Sequence, residues 1–236
     1  MRLVGWNLGR RRYRVLHGRL LRSLRPDVVA LVDVGRAPTL AAPAAGWSSV
    51  YVPPAGRVGG VWLASRWPLT EVDRAPLGDD PRVAGRIAAA RIRAPAIGAV
   101  RVVAVYVPTR ARGRAVKDHF LRALLRRLPD WLDGPLIVTG DFNLCLDPID
   151  EQRPFLLAWE RARMRQLLDL GLVDAFRALH PGLRHYTWFS HRGNGWRIDH
   201  ALVSRDLRPR LARCRIVDRA RTSRASDHAA VLLTLR

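Results

Sequence analysis

Short apolar runs flanked by a carboxylate, an amide or a histidine constrain this chain more than any single motif in it. Residues 28–34 are apolar apart from Asp33, and residues 136–139 run into Gly140-Asp141-Phe142-Asn143. Residues 198–203 carry Asp199 near their start, Asp227-His228 precede the run 229–235, and Asn7 follows Trp6 at the end of the run 2–6. Runs of this length and composition, bounded by turn residues, read as strands. A charged group entering an apolar strand is costly unless it is paired or used. Polar groups at the ends of strands that share a sheet edge gather on loops held by a rigid scaffold, where sites form. Each group also has a plainer reading. Asp141 and Asn143 suit an Asx turn closing a strand, His228 suits a satisfied core position, and Tyr106 in Val105-Tyr106-Val107-Pro108 suits core packing.

The rest of the chain alternates helical and extended patterns. Residues 11–24 form a basic, partly apolar helical stretch stopped by Pro26. Residues 47–52 and 60–64 read as strands around a glycine-rich turn at 56–60, and 38–46 as a loop. Residues 82–92 and 100–107 read as an antiparallel pair. Val116, Phe120, Leu124 and Leu128 recur at helical spacing over 114–128, with Pro129 as the expected stop. A second helix is expected over 155–170, ended by Gly171, and further strands near 186–189 and 213–217. With no repeat and no clear boundary, the pattern predicts layered sheets covered by helices in a single α/β domain, 1–236. A chain of 236 residues suffices for one such core.

Composition narrows the function. The net charge is +21, and Lys117 is the only lysine, so nearly every cation is a guanidinium with a fork suited to phosphate oxygens. A genome-wide arginine bias would give the same excess, so charge alone does not separate a nucleic-acid ligand from composition. The apolar runs are too short to span a bilayer, which predicts no membrane partner. The opening residues lack the apolar region of a signal peptide, and with only Cys145 and Cys214 this predicts a cytoplasmic protein with reduced thiols. No cysteine–histidine spacing suits a structural zinc. The oxygen-rich polar set favours a hard ion, Mg²⁺ or Mn²⁺. In an extended segment Asp141 and Asn143 would point the same way, able to orient water and a phosphate oxygen. A carboxylate such as Asp199 behind the His228 ring would favour its protonated form.

Seven motifs in order then carry a resemblance. They are Gly5-Trp6-Asn7, Pro26 to Asp33, Gly59-Gly60-Val61-Trp62, Tyr106-Val107-Pro108, Gly140-Asp141-Phe142-Asn143, Gly195-Trp196-Arg197-Ile198-Asp199-His200 and Ser226-Asp227-His228. The chain resembles the endonuclease–exonuclease–phosphatase superfamily, most closely its exonuclease III-like apurinic/apyrimidinic (AP) endonucleases; Gly171 to Arg177, His180-Pro181 and Tyr186 to Phe189 carry the finer likeness. The resemblance implies a DNase I-like four-layer α/β sandwich, two packed mixed β-sheets flanked by helices. It implies a monomer that cleaves double-stranded DNA at abasic sites with Mg²⁺ or Mn²⁺, and a possible 3′-to-5′ exonuclease or 3′-phosphatase activity. Asp33 and Asn7 would hold the ion with support from Asp227. Asp141 would activate water, Asn143 and Tyr106 would contact the phosphate, and His228, held by Asp199, would stabilise developing charge. Trp188, Trp196 and Ile198 would border the abasic sugar, Arg112 would contact DNA, and Thr109 stands where the family usually has asparagine. Asp33 replaces the usual glutamate, and the loop 190–195 is short for an AP endonuclease. Those departures keep open a phosphodiesterase or phosphatase for RNA, nucleotides or small phosphoesters, and a non-catalytic nucleic-acid-binding module.

Overall fold

The computed structural model describes residues 1–11, 13–35, 46–56, 59–146 and 148–236. The loop expected over 38–46 lies outside the described residues except for Gly46, as does the middle of the 56–60 turn. In chain order the first strands are β1 (Arg2–Asn7), β2 (Val28–Val32), β3 (Ser48–Val52), β4 (Val61–Ser65), β5 (Thr70–Asp73), β6 (Ile87–Ala94) and β7 (Gly98–Tyr106). The remainder are β8 (Leu136–Asp141), β9 (Leu172–Asp174), β10 (Trp188–Phe189), β11 (Gly195–Trp196), β12 (Asp199–Ser204), β13 (Leu211–Val217) and β14 (Ala230–Leu235). Helices are α1 (Val15–Leu24), α2 (Arg114–Trp131), α3 (Ala158–Asp169) and the short α4 (Ala175–Leu179) and α5 (Arg219–Thr222).

Two six-stranded mixed sheets result, ordered β13-β14-β1-β2-β4-β3 and β5-β6-β7-β8-β12-β9, with β10 and β11 forming a separate hairpin. Each sheet holds one parallel pair, β1–β2 and β7–β8, among antiparallel neighbours. Strand alternation sorts side chains into layers. On β7, Val100, Val102, Ala104 and Tyr106 face the seam between the sheets, while Val103 and Val105 face a second core with Phe120 and Leu124 of α2 and Met164 and Leu167 of α3. On the far side, Val4 and Trp6 of β1 pack with Leu20, Leu21 and Leu24 of α1. The order is helix, sheet, sheet, helices: the expected DNase I-like sandwich. None of the described helices is long and apolar enough to cross a membrane.

Several boundaries differ from the sequence pattern, each for a local reason. Helix α1 starts at Val15, not Arg11, because His17 Nδ1 accepts the Arg14 N–H and caps it there; it ends at Leu24 as expected, with Arg25 at φ 47, the residue that Pro26 bars from helical geometry. Pro129 does not end α2. It sits in the last turn, and the turn is retained because Leu128 and Trp131 on either side of it are both buried. Residues 155–157 stay outside α3, since Glu151 accepts the N–H groups of Phe155 and Leu156 and Glu160 accepts that of Leu157. Residues 82–86 turn instead of extending, because Asp80 accepts the N–H of Arg82 through its side chain and that of Val83 through its carbonyl. The expected strand at 186–189 shrinks to Trp188–Phe189.

Candidate active site

Beside the site the inner faces of the two sheets come into direct contact. A Cβ on Gly5 would lie 2.4 Å from Thr139 Oγ1, so β1 meets β8 there only as glycine. One pleat further along both strands, Asn7 Nδ2 donates to Asp141 Oδ2 at 2.8 Å. Antiparallel pairing sets Asp199 of β12 directly opposite Asp141. Gly140 carries φ 136, and a Cβ there would lie 2.1 Å from the Val105 carbonyl oxygen, which fixes how β8 leaves β7. Asp141 and Asn143 do not lie on one extended segment. The strand ends at Asp141, and Asn143 takes φ 48. Its N–H donates to Asp141 Oδ1 at 2.8 Å, and its amide donates to Asp141 Oδ2 at 3.1 Å and to the Val107 carbonyl at 2.9 Å. The Asx turn therefore forms, and it is what aims both side chains into the cavity.

His228 is fixed from three directions. Its Nδ1 lies 2.8 Å from Asp199 Oδ2, its N–H donates to Ser226 Oγ at 3.0 Å, and its carbonyl accepts from Trp6 Nε1 at 3.0 Å. Burial alone would lower its pKa. The charge and hydrogen bond of Asp199, with the charges of Asp141 and Asp227, reverse this and raise it to about 9. Burial pushes the Asp141 carboxyl up, and the Asp199 charge adds to it against the opposing pull of His228 and the Asn143 and Asn7 hydrogen bonds. Burial, then the Asp33 and Asp141 charges, also push the Tyr106 phenol up, so it stays an O–H donor.

Asp33 reaches the same cavity by breaking strand alternation. Strict alternation would send it toward the α1 side with Val29 and Leu31, but at φ 51 the chain swings it to the pocket. Gly59 N–H donates to its Oδ1 at 3.1 Å, and Arg10 Nε lies 4.0 Å from its Oδ2. Burial raises its pKa, opposed by Gly59, Arg10, Arg86 and His228.

These groups floor a cavity of about 750 Å³. Asn7, Asp33, Tyr106, Thr109, Asp141, Asn143, Trp188, Trp196, Ile198, Asp227 and His228 all line it, and Asp199 stands behind His228. The short 190–195 loop is a tight turn joining β10 to β11, with Ser190 N–H on the Asn194 carbonyl at 2.8 Å. That hairpin pairs Trp188 with Trp196, rings 5.6 Å apart, and Trp188 Nε1 donates to Asp227 Oδ2 at 3.2 Å. Arg112 is the exception among the expected residues: it lies exposed on the turn Arg110–Arg112 and is not part of the lining, whereas Arg110 is.

Other residues at the site went unassigned in the sequence. Lys117, buried at 1% exposure, donates to the Asn143 carbonyl at 2.7 Å and to Glu160 at 2.5 Å, clamping the Asp141–Asn143 turn. Being the lone lysine among arginines was its one available signal. Arg197 binds Asp150 through Nε at 2.7 Å and Nη2 at 2.8 Å, and contacts Asp174, which holds His200 Nδ1 at 2.8 Å. His200 Nε2 lies 2.7 Å from the Leu144 carbonyl, so this buried network braces the segments carrying Asp199 and Asn143.

The donor chemistry suits a metal ion. One donor atom each from Asp141, Asp199 and His228 lie within 4.8 Å of one another, and Asp199 Oδ1 is buried with no hydrogen-bond partner among the described residues. Two packed mixed sheets thus carry this cluster at their strand ends. The profile of the Endonuclease/Exonuclease/phosphatase family matches residues 6–228, and the chain belongs to that family. A DNA repair nuclease from Danio rerio is 32% identical over 154 residues, covering 57% of this chain and 48% of the relative. An exodeoxyribonuclease from Bacillus subtilis is 32% identical over 155 residues, covering 58% of this chain and 60% of the relative. The matched stretch thus spans about half the length of these curated relatives. Among solved structures, a 3′ phosphatase from Neisseria bound to a product DNA hairpin superposes with a TM-score of 0.87 at 29% identity, over 100% of this chain and 99% of the other.

Proposed function

We propose that this chain is a Mg²⁺- or Mn²⁺-dependent phosphodiesterase acting on DNA, cleaving duplexes at abasic sites to leave a 3′-hydroxyl and a 5′-deoxyribose phosphate. A 3′-to-5′ exonuclease or 3′-phosphatase activity accompanies it. The observation that carries this reading is the His228–Asp199 pair set beside Asp141 at the floor of a cavity walled by Trp188 and Trp196. The names of the relatives, a DNA repair nuclease and an exodeoxyribonuclease, support the substrate class.

The residues divide the work by chemistry. Asp141, with its pKa pushed up by burial, accepts a proton from the attacking water, while Asn7 and the Asn143 N–H fix its two oxygens. His228 donates its Nδ1–H to Asp199 as a hydrogen bond, stays protonated, and keeps Nε2–H for a phosphate oxygen, where it offsets developing negative charge. Tyr106 donates to the phosphate or the leaving oxygen. Asn143 would turn one of its amide hydrogens from Asp141 to a second phosphate oxygen while the other stays on the Val107 carbonyl. Asp33 and Asn7, with Asp227 beside them, would hold the ion, which when bound polarises a phosphate oxygen and stabilises the leaving alkoxide.

A second placement of the ion is favoured by the unpartnered Asp199 Oδ1 and the close donor atoms of Asp141, Asp199 and His228. Against it, His228 Nδ1 is already paired with Asp199 Oδ2 at 2.8 Å, and Asp199 raises the ring's pKa to about 9 in the metal-free protein, so an ion there would have to displace that proton. Titration of Mn²⁺ into Asp33→Asn and Asp199→Asn proteins separates the two, since only the ligand variant loses affinity severely.

The function is tested with an end-labelled duplex carrying one abasic site, beside intact duplex, single-stranded DNA and RNA, with Mg²⁺ or Mn²⁺ and with EDTA. Cleavage at the abasic site, stopped by EDTA, is the expected result. Asp141→Asn should lower turnover by about 10²–10⁴ while circular dichroism and Tm stay near the parent's. Retention of the full rate in that variant sinks the mechanism; binding without metal-dependent cleavage of any substrate sinks the hydrolase.

A further inference from the structure

We propose that Phe155, with the Arg110 guanidinium against its ring, is a stacking platform for one unpaired nucleobase next to the nucleotide whose phosphate is attacked. The proposal rests on the nucleic-acid reading above and adds a subsite to it.

Phe155 is 53% exposed at the rim of the cavity, yet it is held firmly. Its N–H donates to Glu151 Oε2 at 2.6 Å, and Glu151 is itself buried. Its carbonyl accepts from Arg110 Nη1 at 3.2 Å. The same guanidinium lies 4.6 Å from the Phe155 ring centroid and is pinned by fully buried Glu160 at 2.6 Å. An aromatic side chain needed only for packing would be covered, and one on a loose loop would not be tied at both backbone groups.

The ring also continues a row that begins at the proposed catalytic centre. Trp188 lies 6.3 Å from the His228 ring, Trp196 lies 5.6 Å from Trp188, and Phe155 lies 5.5 Å from Trp196. The row ends on its one exposed ring, Phe155. What completes it is flat, rich in π electrons and joined to a phosphate backbone. A nucleobase meets all three conditions, and an aliphatic sugar does not. Because Glu160 Oε2 and the Phe155 carbonyl engage the edge of the Arg110 guanidinium, its planar face is what remains on offer, and it stacks on rings. Stacking of this kind is indifferent to base identity, so the subsite selects for an unpaired base without reading sequence.

The test needs no turnover. In EDTA, fluorescence anisotropy compares a short single-stranded oligonucleotide with a chain of equal length made of tetrahydrofuran abasic units, alike in phosphate charge but lacking bases. The parent protein should bind the base-bearing chain more tightly. Phe155→Ala should weaken that binding by about 5- to 150-fold, the range for loss of one base–aromatic stack, and leave the abasic chain within about twofold. Phe155→Trp should keep the preference and Phe155→Leu should lose it, with Tm confirming that each variant folds. Equal losses on both chains, no loss, or full affinity in Phe155→Leu overturns the platform. Metal-dependent cleavage by the parent is scored separately: its absence with base-dependent binding intact removes the hydrolase and leaves the platform, and the reverse pattern does the opposite.

Discussion

Asp33 holds a left-handed backbone, φ 51, in a position where the resemblance leads one to expect glutamate. Aspartate visits that region with less strain than longer side chains, so backbone and side-chain reach compete at one residue. Asp33→Glu should regain reach and tighten Mn²⁺ binding several-fold by calorimetry. It should also cost about 1 kcal/mol, seen as a Tm lower by about 2–4 °C; unchanged Mn²⁺ affinity would remove Asp33 from the ligands. Asp199 sets the state of His228 in the same local way. In metal-free protein the His228 imidazole should titrate by NMR near 9, and in Asp199→Asn it should fall, since burial persists while the main stabilising charge is gone. The sign for stability follows: a folded pKa raised above the ordinary histidine value contributes stability below about pH 6.5 that is lost as pH rises through about 9. An unshifted His228 in that variant would show that Asp199 does not govern it. These carboxylates and His228 were legible in the sequence because each interrupts an apolar run. Phe155 and Arg110 were not, since one resembles core and the other is one arginine among many.

At the scale of elements, the site depends on segments that the Arg197 network braces from behind. Arg197 is 2% exposed between Asp150 and Asp174, and breaking a buried pair by removing one partner costs about 3–5 kcal/mol. Arg197→Met should therefore lose about that much in urea unfolding, and activity with it as the Asp199 strand shifts. Burial would raise the Asp174 carboxyl, but Arg197 and His200 hold it well below the usual range. A depressed carboxylate contributes stability above its unfolded value, about pH 3.9, and loses it as pH falls further. The parent should thus lose more stability than Arg197→Met between neutrality and the acid side of pH 4; equal losses would place the network outside the acid response. Strands with a two-faced apolar pattern, such as β2, β8 and β14, could be read from the residues, because alternation and burial both leave a mark. β5 could not. It is a short edge strand, three of its four residues exposed, so its pairing with β6 left no hydrophobic pattern to follow. The end of α1 at Leu24 was legible from Pro26, but the starts of α1 and α3 escaped: acceptor side chains set them, His17 for one and Glu151 and Glu160 for the other, and these do not alter periodicity.

Across the whole molecule, the net charge of +21 provides an attraction for phosphate backbones that no single residue owns. Its share of binding is measurable, because each phosphate neutralised adds about −0.9 to the slope of log affinity against log salt for duplex DNA. Contact with six or more phosphates would lower duplex affinity by about 10³ or more between 50 and 200 mM salt. The same measurement decides the part played by Arg112, which lies outside the cavity on an exposed turn but beside it in sequence. If the duplex runs over that turn as the resemblance implies, Arg112→Ala should weaken binding uniformly across sequences and make the slope shallower by about 1. If the DNA leaves by the Phe155 rim instead, Arg112→Ala should change neither affinity nor slope. On that second path the general field would draw the polyanion in, and the aromatic row from His228 to Phe155, with Arg110 against its last ring, would guide the strand.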